Sequence, residues 1–180
     1  DGDTSTSDTI ILFSTGLKNQ KIKMNNSLLK KLSARVGKVM QNLAKQIVSD
    51  GEGISKLIEV TVINAKNKIQ ASKVAFSIAE STLVKTAIAG EDANWGRIIM
   101  AIGKGDNHID QNKVVIKFGK LIVAKKGTMY KKINIKKLNH YMKNNIIKIN
   151  VNLEIDKYMK TVWSSDLTHE YISINADYRS

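Results

Sequence analysis

Leu57–Ile63 reads Leu-Ile-Glu-Val-Thr-Val-Ile, and this segment sets the class of fold that the sequence predicts. Its apolar residues Ile58, Val60 and Val62 alternate with partly polar neighbours, which is the period of a β-strand with one buried face. The segment is too short to be read as an ordinary helix. We therefore expect a sheet that contains this strand and other elements that cover its apolar face.

Upstream of this strand, apolar residues recur at helical spacing from Leu28 to Ile47. Asn25-Asn26-Ser27 offers capping oxygens before the helix, and Asp50-Gly51 ends it with a glycine that can take the left-handed conformation. Further upstream, Thr9–Thr15 is a short apolar run rich in β-forming residues, and it predicts a buried strand.

Downstream, the chain mixes helices and strands without a regular βαβ rhythm. The spacing predicts helices over Ile69–Ala79, Leu83–Ile88, Trp95–Ile102 and Asn134–Lys143, and a last helix toward Ile174 capped by Asp166. It predicts strands over Val114–Phe118 and Leu121–Ala124 joined by a hairpin at Gly119-Lys120, and over Ile146–Ile155 paired with Tyr158–Trp163. The sequence thus predicts an α+β fold with a mainly antiparallel sheet. The Gly-rich turn at 50–53 is the best boundary, which gives domains 1–53 and 54–180.

Composition excludes several classes of protein. The 180 residues contain no cysteine, so there is no disulfide framework, thiolate zinc site or cysteine nucleophile. No apolar run approaches the ~20 residues that cross a bilayer, and the acidic start is neither a signal nor a transit peptide. We expect a cytoplasmic protein without a membrane partner.

The net charge of +13 raises a second hypothesis, a basic module that binds RNA or DNA. The lysines, however, are spread along the predicted elements, and few aromatic residues stand between them to stack on bases. We expect no nucleic-acid partner. Generic catalytic motifs are also absent: His108, His140 and His169 lack metal-ligand spacing, and no Gly-x-Ser-x-Gly occurs.

Four longer segments resemble the ornithine acetyltransferase (glutamate N-acetyltransferase) family of arginine biosynthesis, the arginine biosynthesis bifunctional proteins. These segments occur in the family's order: Asp1–Thr9 (DGDTSTSDT), Asp50–Lys56 (DGEGISK), Leu83–Arg97 (LVKTAIAGEDANWGR) and Asp166–Ser180 (DLTHEYISINADYRS). The resemblance therefore extends from the first residue to the last. It identifies the chain as the C-terminal part of the β chain of such a protein.

The resemblance implies a fold and an activity. The fold would be DmpA-like, with an α+β roll as its C-terminal domain. Members cut themselves at an Ala-Thr bond, and the new N-terminal Thr accepts acetyl from N2-acetylornithine and passes it to glutamate. The chain would pair with the α chain of the same precursor in an α2β2 heterotetramer. No cofactor is implied, although acetyl-CoA serves as acetyl donor in bifunctional members, and this part of the protein does not separate the two kinds.

The nucleophilic Thr of the family lies upstream of the segment that matches Asp1–Thr9. Thr4, Thr6 and Thr9 are therefore not candidates, the chain has no catalytic residue of its own, and we expect it to be inactive by itself. A non-catalytic relative that kept the fold and lost the nucleophile is the further alternative.

The resemblance also implies which residues of this chain bind the substrate. The Glu of the family's Glu-Gly pair matches Glu52, and its carboxylate suits the ammonium of ornithine. The family's C-terminal Asn and the hydroxyl residue five positions on match Asn175 and Ser180, which would bind the α-carboxylate or α-amino group of the substrate. These three residues form the candidate site only if the C-terminal tail folds back to the Glu52 turn. In the third segment, Asn94 is expected to cap a helix and Arg97 to pair with a carboxylate.

Overall fold

The computed structural model of the chain describes residue 7, residues 9–17 and residues 25–178. The chain forms two compact units, residues 2–46 and the part from residue 47 onward. The domain boundary that the sequence predicts after Gly53 stays a prediction.

The strand predicted over Thr9–Thr15 is wrong. Residues 9–17 form neither strand nor helix, and the side chains of Ile10, Leu12 and Phe13 are 73%, 85% and 83% exposed. A strand needs a partner for its backbone N–H and C=O groups. Residues 9–17 have no such partner within the part of the chain that the structure describes.

Helix α1 spans Asn26–Ser49, as the spacing predicts. Asn25 caps it, because its Oδ1 accepts the backbone N–H of Leu28 at 2.8 Å. One row of apolar side chains along α1 is exposed, and no residue of the helix is buried. We call this row the α1 apolar face; it consists of Leu29, Leu32, Val36, Val39, Met40 and Leu43.

The second unit is built on a six-stranded sheet. Its strands are β1 Leu57–Ala65, β2 Val115–Phe118, β3 Leu121–Lys125, β4 Thr128–Met129, β5 Ile146–Asn152 and β6 Tyr158–Ser165. They lie in the order β4-β3-β2-β5-β1-β6, and only the β1–β5 pair is parallel among the described strands. The predicted α+β fold with a mainly antiparallel sheet is confirmed.

Five helices complete the unit. They are α2 Lys68–Ala79, α3 Thr82–Ala89, α4 Trp95–Gly105, α5 Ile135–Met142 and α6 His169–Asp177. Each begins after an Asn, Ser or Thr whose side-chain oxygen accepts a backbone N–H of the first turn. The helices expected over the corresponding segments are therefore confirmed to within a few residues, and the local signals are the N-cap residues.

The core lies on one face of the sheet. Ile58, Val60 and Val62 of β1 are fully buried, and they belong to one apolar cluster with residues of α2 and α4 such as Val74 and Ile102. The alternation that predicted β1 thus reflects this burial. Branched aliphatic side chains, which β-strands favour, make up most of this cluster.

One predicted pairing is wrong, while the hairpin is right. β6 pairs with β1 and not with β5, because β5 lies between β1 and β2 and has no free edge. β2 and β3 do form the hairpin at Gly119. Gly119 has φ +56°, and a Cβ atom there would lie 2.8 Å from the Tyr141 ring, so the turn requires glycine.

Candidate functional site

The candidate site begins at the turn between α1 and β1. The glycine with left-handed backbone in this turn is Gly53, with φ +61°, and not Gly51, which the sequence had favoured. α1 ends at Ser49, so Gly53 shapes the approach to β1 rather than the end of the helix. Glu52 precedes Gly53 and is exposed at this turn.

The turn is held against the start of α6. The hydroxyl of Thr168 donates to the carbonyl of Gly53, and the same oxygen accepts the backbone N–H of Tyr171 as N-cap of the helix. A Cβ atom on Gly53 would lie 2.7 Å from the carbonyl carbon of Glu170 and 2.8 Å from Cα of Tyr171. Helix α6 therefore packs on the glycine backbone itself.

This packing brings Asn175 to Glu52, 123 positions away in the sequence. Nδ2 of Asn175 donates to Oε2 of Glu52 at 3.2 Å and to the carbonyl of Tyr171 at 2.9 Å. Both side chains are exposed, so a ligand can reach them. Ser180, the third predicted site residue, lies outside the described residues.

The contacts of Asn175 limit what it can offer to a ligand. Its amide has two hydrogens, and both are used by Glu52 and Tyr171. What remains is the amide oxygen, which accepts hydrogen bonds. Beside the Glu52 carboxylate, this oxygen makes a site that suits a cationic or hydrogen-bond-donating group.

Asp166 anchors the segment that leads into α6. It is 1% exposed, and its Oδ1 accepts the backbone N–H groups of Ser55 at 2.9 Å and Lys56 at 3.0 Å. Its Oδ2 accepts the Ser55 hydroxyl. The expectation that Asp166 caps the last helix is wrong: Thr168 is the cap, and the Asp166 carboxylate ties the end of β6 to the start of β1.

An ion pair between a buried lysine and an exposed glutamate lies beside this anchor. Lys56 is 7% exposed, and its Nζ lies 3.4 Å from Oε1 of Glu91. Glu91 has φ +57°, so it occupies a backbone conformation that is uncommon for a residue with a side chain. Sequence reasoning missed both Asp166 and Lys56 as structural residues of the site, since no local pattern distinguishes them from surface charges.

The third resemblance segment has a structural role. Asn94 caps α4, because its Oδ1 accepts the backbone N–H of Arg97 at 3.1 Å, as expected. Among the described residues, Arg97 pairs with no carboxylate. Its Nη1 donates to the carbonyl of Leu83 at 2.8 Å and to the Thr86 hydroxyl at 3.2 Å, so it joins α4 to α3.

The described residues hold no group of three or more His, Cys, Asp or Glu side chains arranged to bind a metal ion. Among the same residues, no helix has the length and apolar character needed to span a membrane. What the site does offer is one exposed carboxylate on the turn and one exposed amide on α6.

Comparison with known proteins gives the same reading over the whole chain. The model of the ArgJ family matches residues 1–180. This chain belongs to the ArgJ family. The resemblance drawn from the four sequence segments is thereby confirmed.

Individual relatives agree with this assignment. The chain is 45% identical to the arginine biosynthesis bifunctional protein ArgJ of Brucella melitensis and 43% identical to that of Caulobacter vibrioides. Each match includes 100% of this chain and 45% of the relative, so the chain spans about half the length of the curated ArgJ proteins it matches. The crystal structure of ArgJ from Bacillus halodurans superposes with a TM-score of 0.89 at 39% identity, covering 99% of this chain and 84% of that one.

The first prediction concerns Asp166, in the complete ArgJ protein that contains this chain. Asp166→Ala should lower the free energy of unfolding by about 3 kcal/mol, because two backbone N–H groups lose their acceptor in a buried place. Asp166→Asn should cost only about 1 kcal/mol, because its Oδ1 can keep both backbone bonds while its amide donates to Ser55. Urea unfolding followed by circular dichroism measures both, and equal losses would contradict this account.

The second prediction concerns Gly53. Gly53→Ala should destabilise the complete protein by more than about 2 kcal/mol, since a left-handed alanine is strained and its methyl group meets the backbone of α6. Gly103→Ala is the matched control: no atom lies within 4 Å of the added carbon. In the interior of α4 the control should stabilise by roughly 0.5–1 kcal/mol. Thermal unfolding compares them, and a neutral Gly53→Ala would disprove the close packing.

Proposed function

We propose that this chain supplies one wall of the substrate site of an N-acetyltransferase that moves acetyl from N2-acetylornithine to glutamate. The reaction runs in two halves through an acetyl-Thr intermediate. The nucleophilic Thr belongs to the part of the complete protein that precedes these residues, so the chain alone is inactive. The complete protein acts in the cytoplasm.

The observation that carries the proposal is the contact between Glu52 and Asn175. The two residues were selected only by resemblance, and they lie 123 positions apart, yet their side chains meet at 3.2 Å. A structural role would not require them to be exposed. The names of the relatives, arginine biosynthesis bifunctional proteins, point to the same chemistry.

In this proposal each of the three residues has a part in binding. Glu52 binds the ammonium of the ornithine moiety through its carboxylate, and Asn175 adds its amide oxygen to the same group. Ser180 completes the set through its hydroxyl. None of the three takes part in bond making, because the acyl group is carried by the Thr and its oxyanion is held by donors from the α chain.

The α1 apolar face supports a partner chain. Leu29, Val39 and Leu43 are 50%, 58% and 47% exposed, and such a row is usually covered by another surface. The curated relatives are more than twice as long as this chain, so the preceding part of the precursor is the natural partner. We propose that this α chain covers the face, and that two such pairs form an α2β2 heterotetramer.

The third prediction tests the function. The complete protein, given N2-acetylornithine and glutamate, should release ornithine and form N-acetylglutamate in equal amounts, while residues 1–180 alone should form neither. Liquid chromatography with mass detection follows both products. Absence of N-acetylglutamate with the complete protein would refute the function, and turnover by the isolated chain would refute the division of roles.

The fourth prediction concerns Glu52. Glu52→Gln should lower kcat/KM for N2-acetylornithine by roughly 10- to 100-fold, the range for losing a hydrogen bond to a charged group. Self-cleavage of the precursor, followed by gel electrophoresis, should be unchanged because Glu52 only positions substrate. Glu80→Gln is the control, since Glu80 is an exposed carboxylate at the end of α2. Normal kinetics in Glu52→Gln would remove Glu52 from the site.

A further inference from the structure

Four polar side chains are buried among the described residues, and they share one region of the second unit. They are Lys56, Ser81, Lys85 and Asp166. Three of them have their partners within the chain. Lys56 pairs with Glu91, Ser81 accepts the backbone N–H of Val84, and Asp166 accepts three hydrogen bonds from Ser55 and Lys56.

Lys85 is the exception. It is 2% exposed and stands on the buried side of α3 with Val84 and Ile88. Within residues 25–178 and the short described stretch before them, its ammonium has neither an ion pair nor a hydrogen bond. A largely buried lysine without an anion beside its ammonium is unfavourable, which favours the binding of an anion there.

The Lys85 ammonium is not sealed inside the unit. In the described part of the chain, every fully buried side-chain nitrogen or oxygen has a hydrogen-bond partner. Because the Lys85 ammonium has none, it must keep contact with solvent while its aliphatic stem is enclosed. The charge is therefore in contact with solvent at the surface of the unit.

The backbone of Lys85 is bonded to the segment that holds the candidate site. The backbone carbonyl of Lys85 accepts the N–H of Leu167 at 3.4 Å. The next residue, Thr168, donates its hydroxyl to Gly53, which follows Glu52. The segment that positions the Glu52 turn is thus bonded directly to the backbone of Lys85.

The two substrates of the proposed reaction differ in charge at the end of the side chain. Ornithine ends in an ammonium, which suits Glu52, whereas glutamate ends in a carboxylate, which the Glu52 carboxylate repels. A site that accepts both in turn needs a cation as well as an anion. Lys56 is already paired with Glu91. Among the described residues, Lys85 is then the buried cation that could bind the carboxylate.

We propose that Lys85 binds the side-chain carboxylate of the glutamate acceptor. This inference rests on the proposed function, and it adds a specificity residue for the second half-reaction. Glu52 binds the side-chain ammonium of ornithine, and Lys85 binds the side-chain carboxylate of glutamate. The paired charges let one pocket hold two amino acids of opposite side-chain charge.

The experiment compares the two half-reactions in the complete protein. In a reaction with a covalent intermediate, kcat/KM for each substrate reports its own half-reaction. Lys85→Met, which keeps an unbranched apolar stem, should lower kcat/KM for glutamate at least tenfold more than kcat/KM for N2-acetylornithine. Lys136→Met, an exposed lysine of α5, is the control and should change neither.

The outcomes separate the inference from the function. If the unaltered protein forms no N-acetylglutamate, the proposed function fails. If it does, and Lys85→Met lowers both kcat/KM values equally or neither, only the inference about Lys85 is overturned. A purely structural lysine would lower the two values together, so the ratio distinguishes binding from support of the fold.

A second measurement does not depend on a variant that folds. A crystal structure of the unaltered complete protein with bound glutamate should place the Lys85 Nζ within hydrogen-bond distance of the glutamate side-chain carboxylate. A protein carboxylate paired with Lys85 in that structure, from either chain, would overturn the inference. So would a bound glutamate whose side chain points away from α3.

Discussion

The carboxylate of Asp166 is the contact on which the rest of the second unit depends. It joins the end of β6 to the start of β1 through two backbone N–H groups and one hydroxyl. Because it is buried, these bonds are shielded from water and hold the two strand ends in one geometry. The Glu52 turn comes just before β1, and α6 comes just after β6, so both are attached to the strand ends that Asp166 joins. The contact between Asn175 and Glu52 therefore depends on how Asp166 holds the two strand ends.

The sequence predicted most of the elements, because their signals are local. The alternation at Ile58 and Val60, the N-cap at Asn94 and the hairpin at Gly119 all depend on neighbours within a few residues. The errors involve distant partners. The pairing of β6 with β1, the missing strand at Thr9–Thr15 and the role of Asp166 depend on which segments meet in space, and no local pattern encodes that.

The residues of the candidate site also fall into those that the sequence indicates and those that only the structure reveals. Glu52, Asn175 and Ser180 were found by resemblance, since an acidic residue in a turn and an amide near a chain end are unremarkable by themselves. The structure then brings Asn175 to Glu52, while Ser180 lies outside the described residues. Lys85 gives no sign in the sequence, because a lysine in an amphipathic helix is normally on the solvent side. Only its burial and the absence of a partner for its ammonium among the described residues set it apart.

The parallel pair of β1 with β5 has a consequence for how the chain is made. Leu57 pairs with Ile146, and the other neighbour of β1 ends at Ser165. Until the ribosome has delivered these late segments, β1 has no hydrogen-bonded neighbour on either side. Long-range closure of this kind is slow. A chain that stops before Ile146 would therefore lack both strands that pair with β1, which exposes it to aggregation and degradation.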